Sequence, residues 1–336
     1  MASNFGHIYL EEAAADYPLT AEICANFPAA QRINIRNYRH FFNRPNQDYN
    51  LQKGGLKLIL AVKRDDLLYR GSPECQDFNS ANFYYNTPLV NCVYDCEYCY
   101  LQGKYQSANL LVFVNQDDLM AAVTGQIPRR PEAERPLLLA LSYDTDLLAI
   151  DNRIPIFKPW VEFARTAENL LVEIRTKSAA VAGLKSIASG KNILLSWTVS
   201  PQRIIDLIEH FTPALDRRIQ AIGVAIEQGW QVRLSIDPVI HSEDWPQLYL
   251  AMIERLFTRL PASAIHDIQF GPFRINENYY RRLRRARPRS LILMQPLVVQ
   301  DGIVSWPPAQ QTELRKRISD QLSRYLPDEK IHPWQI

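Results

Sequence analysis

Three cysteines in one short stretch carry the strongest chemical signal in this chain: Asn91-Cys92-Val93-Tyr94-Asp95-Cys96-Glu97-Tyr98-Cys99-Tyr100-Leu101. The spacing Cys-x3-Cys-x2-Cys lets one irregular loop turn three thiolates toward a common centre. Soft thiolates select zinc or iron–sulfur clusters over hard cations. A structural zinc ion takes four tetrahedral ligands, and the loop supplies Cys92, Cys96 and Cys99 only. Three readings follow: a zinc knuckle with a distant fourth ligand, three buried thiols, or a 4Fe–4S cubane with one iron left open to a ligand that is not protein.

An aromatic residue, Tyr98, precedes the last cysteine, and with it the loop resembles the signature of radical S-adenosylmethionine (SAM) enzymes. In those enzymes the open iron chelates the amino and carboxylate groups of the methionine moiety. An electron from the cluster then cleaves the sulfonium and releases a 5′-deoxyadenosyl radical. The protein positions the cofactor and excludes side reactions. The confirming context is a strand before the loop and β/α alternation after it.

Other residues have chemistry open to them, each beside a plainer role. Lys177 stands in an apolar neighbourhood at a strand end. It can snorkel to water or pair with a carboxylate such as that of bound SAM. Thr145 and Ser200 can donate to a cofactor or cap the helices that follow them. Asp144, Asp146 and Asp151 suit a turn better than a hard-metal site. The six histidines show no paired metal-ligand spacing and read as structural. Tyr94, Tyr98 and Tyr100 either pack around the cysteines or hand a hydrogen atom to a nearby radical. Arg281, Arg282, Arg284, Arg285, Arg287 and Arg289 crowd nine residues, which is either a solvated helix face or a set of phosphate contacts.

The elements that must hold these residues are legible as apolar runs. Strands are expected at Leu56–Val62, Thr87–Val90, Leu110–Val114, Pro136–Leu141, Leu170–Ile174, Ile193–Trp197, Val232–Ile236 and His266–Phe270. Helices are expected from near Asp117 and Ile156 and over 179–188, 213–228 and 244–260, the last with Trp245, Leu248, Met252, Leu256 and Leu260 on one stripe. Thr20 is a plausible cap for a short N-terminal helix. Near-continuous apolar strands alternating with amphipathic helices indicate a parallel sheet covered by helices. The fold class is therefore α/β, and six such units suit a partial barrel. The polar clusters Ser142–Asp146, Arg175–Lys177, Thr198–Ser200 and Asp237-Pro238 follow the strands Pro136–Leu141, Leu170–Ile174, Ile193–Trp197 and Val232–Ile236, at the ends where β/α barrels build active sites. A further helix starts near Asn276, and Gln300-Asp301-Gly302-Ile303 carries the Asp-Gly hairpin signal. The expected division is 1–80 as an N-terminal extension, 81–295 as the barrel, and 296–336 as a hairpin-like segment and helix.

Bulk properties narrow the setting. A net charge of +2 gives no global field for nucleic acid, so any such contact must be local. The N-terminus lacks the pattern of a signal peptide, and no apolar run reaches membrane-span length, so no membrane partner is expected. Cys24 and Cys75 are isolated, and thiolate ligands need a reducing compartment, which predicts the cytoplasm.

The residues also resemble one family, spore photoproduct lyase. The likeness runs through Tyr9-Leu10-Glu11, Asp16-Tyr17-Pro18-Leu19, Pro88-Leu89-Val90, Cys96-Glu97-Tyr98-Cys99-Tyr100-Leu101-Gln102, Asp146-Leu147-Leu148-Ala149-Ile150-Asp151, Arg175-Thr176-Lys177, Ser200, Pro213–Ile219, Asp237–His241 and His266-Asp267-Ile268. The resemblance implies a partial (β/α)6 TIM-type barrel of the radical SAM kind, with terminal extensions. It implies a 4Fe–4S cluster on Cys92, Cys96 and Cys99, SAM, and an electron donor such as flavodoxin or ferredoxin. It also implies DNA repair, in which an adenosyl radical takes hydrogen from C6 of a methylene-bridged thymine dimer and a cysteine returns hydrogen to the product. Tyr98 and Tyr100 match the positions of a radical relay, and Tyr98, Thr145, Lys177 and Ser200 are the expected cofactor shell. DNA contacts are expected through Arg281, Arg282, Arg284 and Arg285. Two departures stand out. Tyr143 lies where the family has its hydrogen-donating cysteine, so Tyr143, or else Cys75, must donate. The segment Leu297–Trp306 is short and nearly uncharged where the family has a basic, aromatic hairpin. These departures leave open an alternative, a radical SAM enzyme of the same family acting on another, non-DNA substrate.

Overall fold

The computed structural model describes residues 5–72 and 75–334. Six parallel strands form a curled half-barrel in the order Phe83–Tyr85, Leu137–Ala140, Leu170–Thr176, Ile193–Thr198, Gln231–Val239 and Ile265–Pro272. Tyr69–Arg70 adds an antiparallel strand at one edge and Ile331–Pro333 a parallel one at the other. Leu137–Ala140 and Ile193–Thr198 are buried along their whole length, which is why they read as unbroken apolar runs rather than alternating ones.

The first barrel strand differs from expectation. It is Phe83–Tyr85, whereas Leu89–Val90 pairs antiparallel with Leu110–Phe113 in a second sheet. Pro88 lies between the two and offers no N–H to a ladder. That second sheet runs Gln31–Ile35, His7–Glu11, Leu58–Ala61, Leu110–Phe113, Leu89–Val90. Its first two strands carry too many polar residues to be read as strands, and only one of the five positions in Gln31–Ile35 is buried.

Helices Gln116–Gln126, Phe157–Thr166, Leu215–Glu227 and Trp245–Arg259 cover the sheets where expected. In the last, Trp245, Tyr249, Met252, Ile253 and Leu256 face inward. The expected helix at 179–188 is a short 3-10 turn, Ala182–Ser186, and Gln202–Ile208 is an additional helix. Thr20 is not a cap. It is the third residue of Pro18–Asn26, and its hydroxyl donates to the Ala14 carbonyl at 2.6 Å.

Beyond the barrel, Asn276 caps the helix Glu277–Ala286 by accepting from the Asn278 N–H. Val298–Gln300 and Ile303–Ser305 form a hairpin whose turn residues Asp301 and Gly302 both have positive φ, 49° and 77°, as a tight two-residue turn requires. The closing helix Pro308–Leu322 buries Leu314, Ile318 and Leu322. Among the described residues, no helix is long and apolar enough to cross a membrane.

Candidate active site

The cysteine loop has little regular structure, so side chains satisfy its backbone. Asn91 sits in the left-handed region at φ 69° and is fully buried. Its amide donates to the carbonyls of Ser107 and Asn109 at 2.7 and 2.8 Å, and its oxygen accepts from Tyr49. Lys53 Nζ donates to the Cys92 and Tyr94 carbonyls at 2.6 and 2.5 Å. Asp95-Cys96 pairs with Glu209-His210 as a two-residue antiparallel ladder, and Gln102 closes onto the Cys96 carbonyl at 2.8 Å. Arg287 pairs with Asp95. The loop is thus pinned from five directions.

Cys92, Cys96 and Cys99 all line one cavity of about 360 Å³ at the C-terminal ends of the barrel strands. Burial pushes the Cys92 thiol up to about 12 and raises Cys96 and Cys99 as well. Among the described residues no three His, Cys, Asp or Glu side chains are grouped to hold a single metal ion. Three thiols facing one shared space suit a multi-iron cluster better than one tetrahedral zinc ion.

Residues from all four strand-end clusters meet the same cavity: Ser142, Tyr143, Thr145 and Asp146; Arg175, Thr176 and Lys177; Thr198; and Asp237 with Pro238. Asp146 organises the first two. It accepts from Thr176 Oγ1 and from the Lys177 N–H, both at 2.7 Å. Burial raises its carboxyl above the ordinary value, against the pull of those donors. Asp151 accepts from the Phe157 N–H at 2.9 Å, and Asp144 is held by Lys104, Tyr100 and Tyr105. Each acid therefore serves a local bonding role.

Ser200 does not line the cavity. It is 1% exposed, and its hydroxyl donates to Glu209 Oε1 at 2.9 Å. Glu209, which sequence reasoning missed, is a hub: the same oxygen accepts from Tyr98 at 2.5 Å, and Oε2 pairs with Arg218 at 2.5 Å. Burial opposes the Glu209 charge, but Arg218 and Lys177 outweigh it and hold the carboxyl at about 2. Lys177 Nζ lies 5.5 Å from the centre of the Tyr98 ring. Burial opposes its charge too, and Cys96 and Glu209 overcome it, leaving the ammonium above its ordinary value.

On the other wall, Tyr100 donates to the Tyr143 carbonyl at 2.6 Å and to Asp144 at 2.9 Å. Tyr143 OH lies 3.1 Å from Cys75 Sγ, and both groups line the cavity. Tyr143 and the isolated cysteine of the sequence are therefore partners. Arg274 grips Asp237 with two nitrogens, at 2.8 and 3.0 Å.

The arginine helix packs on the segment that follows the cysteines. A Cβ on Gly103 would fall 2.5 Å from the Tyr279 carbonyl, so only glycine permits this approach. Arg282 donates to the Gly103 carbonyl at 3.2 Å and Arg281 pairs with Glu277, while Arg281, Arg282, Arg284 and Arg285 remain exposed. The histidines bind protein groups: His210 meets Glu97 at 2.9 Å, and His266 and His332 flank Asp267.

A family model described as spore photoproduct lyase matches residues 5–334. The chain belongs to the spore photoproduct lyase family. It is 24% identical over 271 residues to the spore photoproduct lyases of Geobacillus and of Bacillus subtilis, covering 78% of this chain and 76% of each relative. The fold superposes on a solved spore photoproduct lyase double mutant with bound AdoMet and dinucleoside spore photoproduct, with a TM-score of 0.82, 18% identity and 99% of both chains covered. A second solved complex with dinucleoside spore photoproduct gives a TM-score of 0.81 at 18% identity, over 99% of both chains. The family is one of radical SAM lyases that use a 4Fe–4S cluster and SAM, so the partial-barrel expectation and the cofactor expectation hold for this chain.

Proposed function

We propose that this protein is a spore photoproduct lyase-like radical SAM carbon–carbon lyase that reverses methylene-bridged thymine dimers in DNA. The observation that carries the reading is the convergence of Cys92, Cys96, Cys99, Lys177, Tyr143 and Cys75 on one cavity.

Cys92, Cys96 and Cys99 would hold the 4Fe–4S cluster that works with SAM. When bound, this pair supplies a 5′-deoxyadenosyl radical. Lys177 presents a cation to the SAM carboxylate, and charge-assisted pairs of this kind are the strong ones. Thr145 offers a hydroxyl from the cavity wall. Ser200 acts one step back, by fixing Glu209 and through it Tyr98.

Hydrogen return falls to the Cys75–Tyr143 pair. The Cys75 thiol gives a hydrogen atom to the substrate-derived product radical, and the thiyl left behind takes one from the Tyr143 hydroxyl 3.1 Å away. Tyr100, whose ring centre is 5.8 Å from that of Tyr143, connects this pair to the cofactor side. Arg281, Arg282, Arg284 and Arg285 bind DNA phosphates, and a flavodoxin or ferredoxin in the cytoplasm supplies the electron. The presence of a thiol beside Tyr143 favours the dimer substrate over a different, non-DNA one.

The test is anaerobic turnover of dinucleotide spore photoproduct by the reconstituted protein, following thymine product and 5′-deoxyadenosine. Thymine release is expected; SAM cleavage without it removes the dimer as substrate.

A further inference from the structure

We propose that Tyr85 and Tyr69 form an exit line that drains a stranded Tyr143 radical from the cavity toward the surface, an inference that rests on the role given above to Cys75 and Tyr143. The Tyr143 ring is stacked on Tyr85, with centres 4.0 Å apart and planes 20° from parallel. Tyr85 is in turn stacked on Tyr69 at 4.9 Å and 14°. Three phenols therefore lie face to face. On its cofactor side Tyr143 meets Tyr100 only edge-on, at 5.8 Å and 61°. Coupling between π systems falls steeply with separation, so the stacked direction is the better conductor of the two. Tyr85 and Tyr143 line the cavity, while Tyr69 stands outside it on the barrel's edge strand.

The far end reaches the edge of the sheet, where Tyr69 is half-buried. There Lys63 Nζ donates to the Tyr69 hydroxyl at 2.9 Å. Burial pulls Lys63 below the ordinary lysine value. At the near end, Lys104 Nζ stands 5.4 Å from the ring centres of both Tyr85 and Tyr143. Lys63 Nζ stands 5.1 Å from the Tyr69 ring centre, so a cation flanks the line at each end, and its direction rests on the stacking and on access to solvent.

The step balances as one electron and one proton. The Tyr143 phenoxyl gains an electron through the Tyr85 ring and a proton from the solvent pool into which Tyr69 releases one, becoming a phenol. Tyr69, half-buried on the edge strand, loses that electron and releases its phenolic proton to solvent. The Tyr69 phenoxyl is then quenched by a hydrogen atom from a small thiol reductant, which becomes a thiyl. The line operates when the thymine product has left but the radical has not returned to the cofactor, and it spares the cavity residues from oxidation.

Two measurements test this. In the first, azide radicals generated by pulse radiolysis oxidise the full chain without added cofactor or substrate, and peptide mass spectrometry locates the oxidised tyrosines. Tyr69 is expected to collect the damage in the parent chain. Tyr85→Phe, which keeps the ring but removes the O–H, is expected to lower Tyr69 oxidation several-fold and raise it at Tyr143. Equal Tyr69 oxidation in both chains overturns the line. In the second, the reconstituted enzyme turns over dinucleotide spore photoproduct. Tyr69→Phe is expected to leave thymine formed per SAM in a first turnover unchanged and to shorten the number of turnovers before inactivation several-fold. An unchanged turnover number overturns the line's protective role. A chain that passes the first measurement but releases no thymine in the second retains the conducting stack and loses the lyase reading.

Discussion

Glu209→Gln is the substitution that probes the site's architecture most directly. The Glu209 and Arg218 side chains are both fully buried and paired at 2.5 Å. Tyr98 and Ser200 donate to the same carboxylate at 2.5 and 2.9 Å. Glutamine keeps the shape and one acceptor but turns an N–H toward a guanidinium that has nothing to accept with. Removing one partner of a buried pair costs about 3–5 kcal/mol, because the other charge stays buried and uncompensated. The carboxyl itself gives a similar figure: a fall from 4.5 to about 2 corresponds to about 3 kcal/mol at ~1.36 kcal/mol per pH unit. The group's pKa is depressed on folding, so its contribution is complete above about 4.5 and is lost as pH falls through about 2. Urea unfolding at pH 7 should therefore show the variant about 3–4 kcal/mol less stable, with the gap closing as pH is lowered from 4.5 toward 2. Replacing both partners, Glu209→Leu with Arg218→Met, should recover most of the loss, since buried pairs exchange for apolar groups at little net cost. A single-variant loss below about 1 kcal/mol, or a gap that does not change with pH, refutes the account of Glu209 as a charged hub. A variant too unstable to purify leaves the double replacement as the deciding measurement.

The remaining predictions concern the cavity and the arginine helix. Lys177→Met should weaken SAM binding about 10- to 100-fold, the worth of one charge-assisted hydrogen bond, while iron content stays at the parent level; a change in iron content instead would make Lys177 a structural residue. Cys75→Ala should leave 5′-deoxyadenosine formation intact and cut thymine release by about tenfold or more, and full thymine release would place the hydrogen donor elsewhere. The three cluster thiols are raised by burial and so are neutral at pH 7, which means that cluster loading should release about three protons beyond those set free by the sulfide it incorporates, countable in a weakly buffered titration. Arg281→Glu with Arg285→Glu should lower the salt slope of DNA binding by about one for each phosphate no longer neutralised; an unchanged slope moves the DNA interface off this helix.

Most of the barrel could be read from the chain because its strands are buried on both faces. Leu137–Ala140 is apolar throughout, and Leu170–Thr176 and Ile193–Thr198 open on apolar runs before their polar C-terminal ends, and such runs survive any choice of period. Phe83–Tyr85 could not be read, since it is three residues long and flanked by Asn82 and Asn86. The short pairing of Asp95-Cys96 with Glu209-His210 is likewise invisible, because two-residue strands carry no pattern. What sets the site in place is therefore less legible than what surrounds it.

Yet the hub left a trace. Arg218 lies on the helix Leu215–Glu227 among Leu215, Ile219 and Ile222, all buried. A charged residue at a core-facing position demands an opposite charge nearby, since burying an unpaired one is prohibitive. That demand is a sequence-level signal for a missing carboxylate, and Glu209, nine residues earlier, answers it. Tyr143 follows similar logic. A hydrogen donor is defined by what it can reach, not by its place after a particular strand. The thiol within reach of Tyr143 is Cys75, which precedes the first barrel strand and meets the phenol at the cavity wall. Cys75 looked isolated only because the two residues stand 68 positions apart in the sequence. The phenol and the isolated cysteine are then one feature, and a single variant tells the two possible donors apart: with Tyr143→Phe, thiol donation continues and thymine still forms in the first turnover, whereas a phenol-only donor predicts that none does.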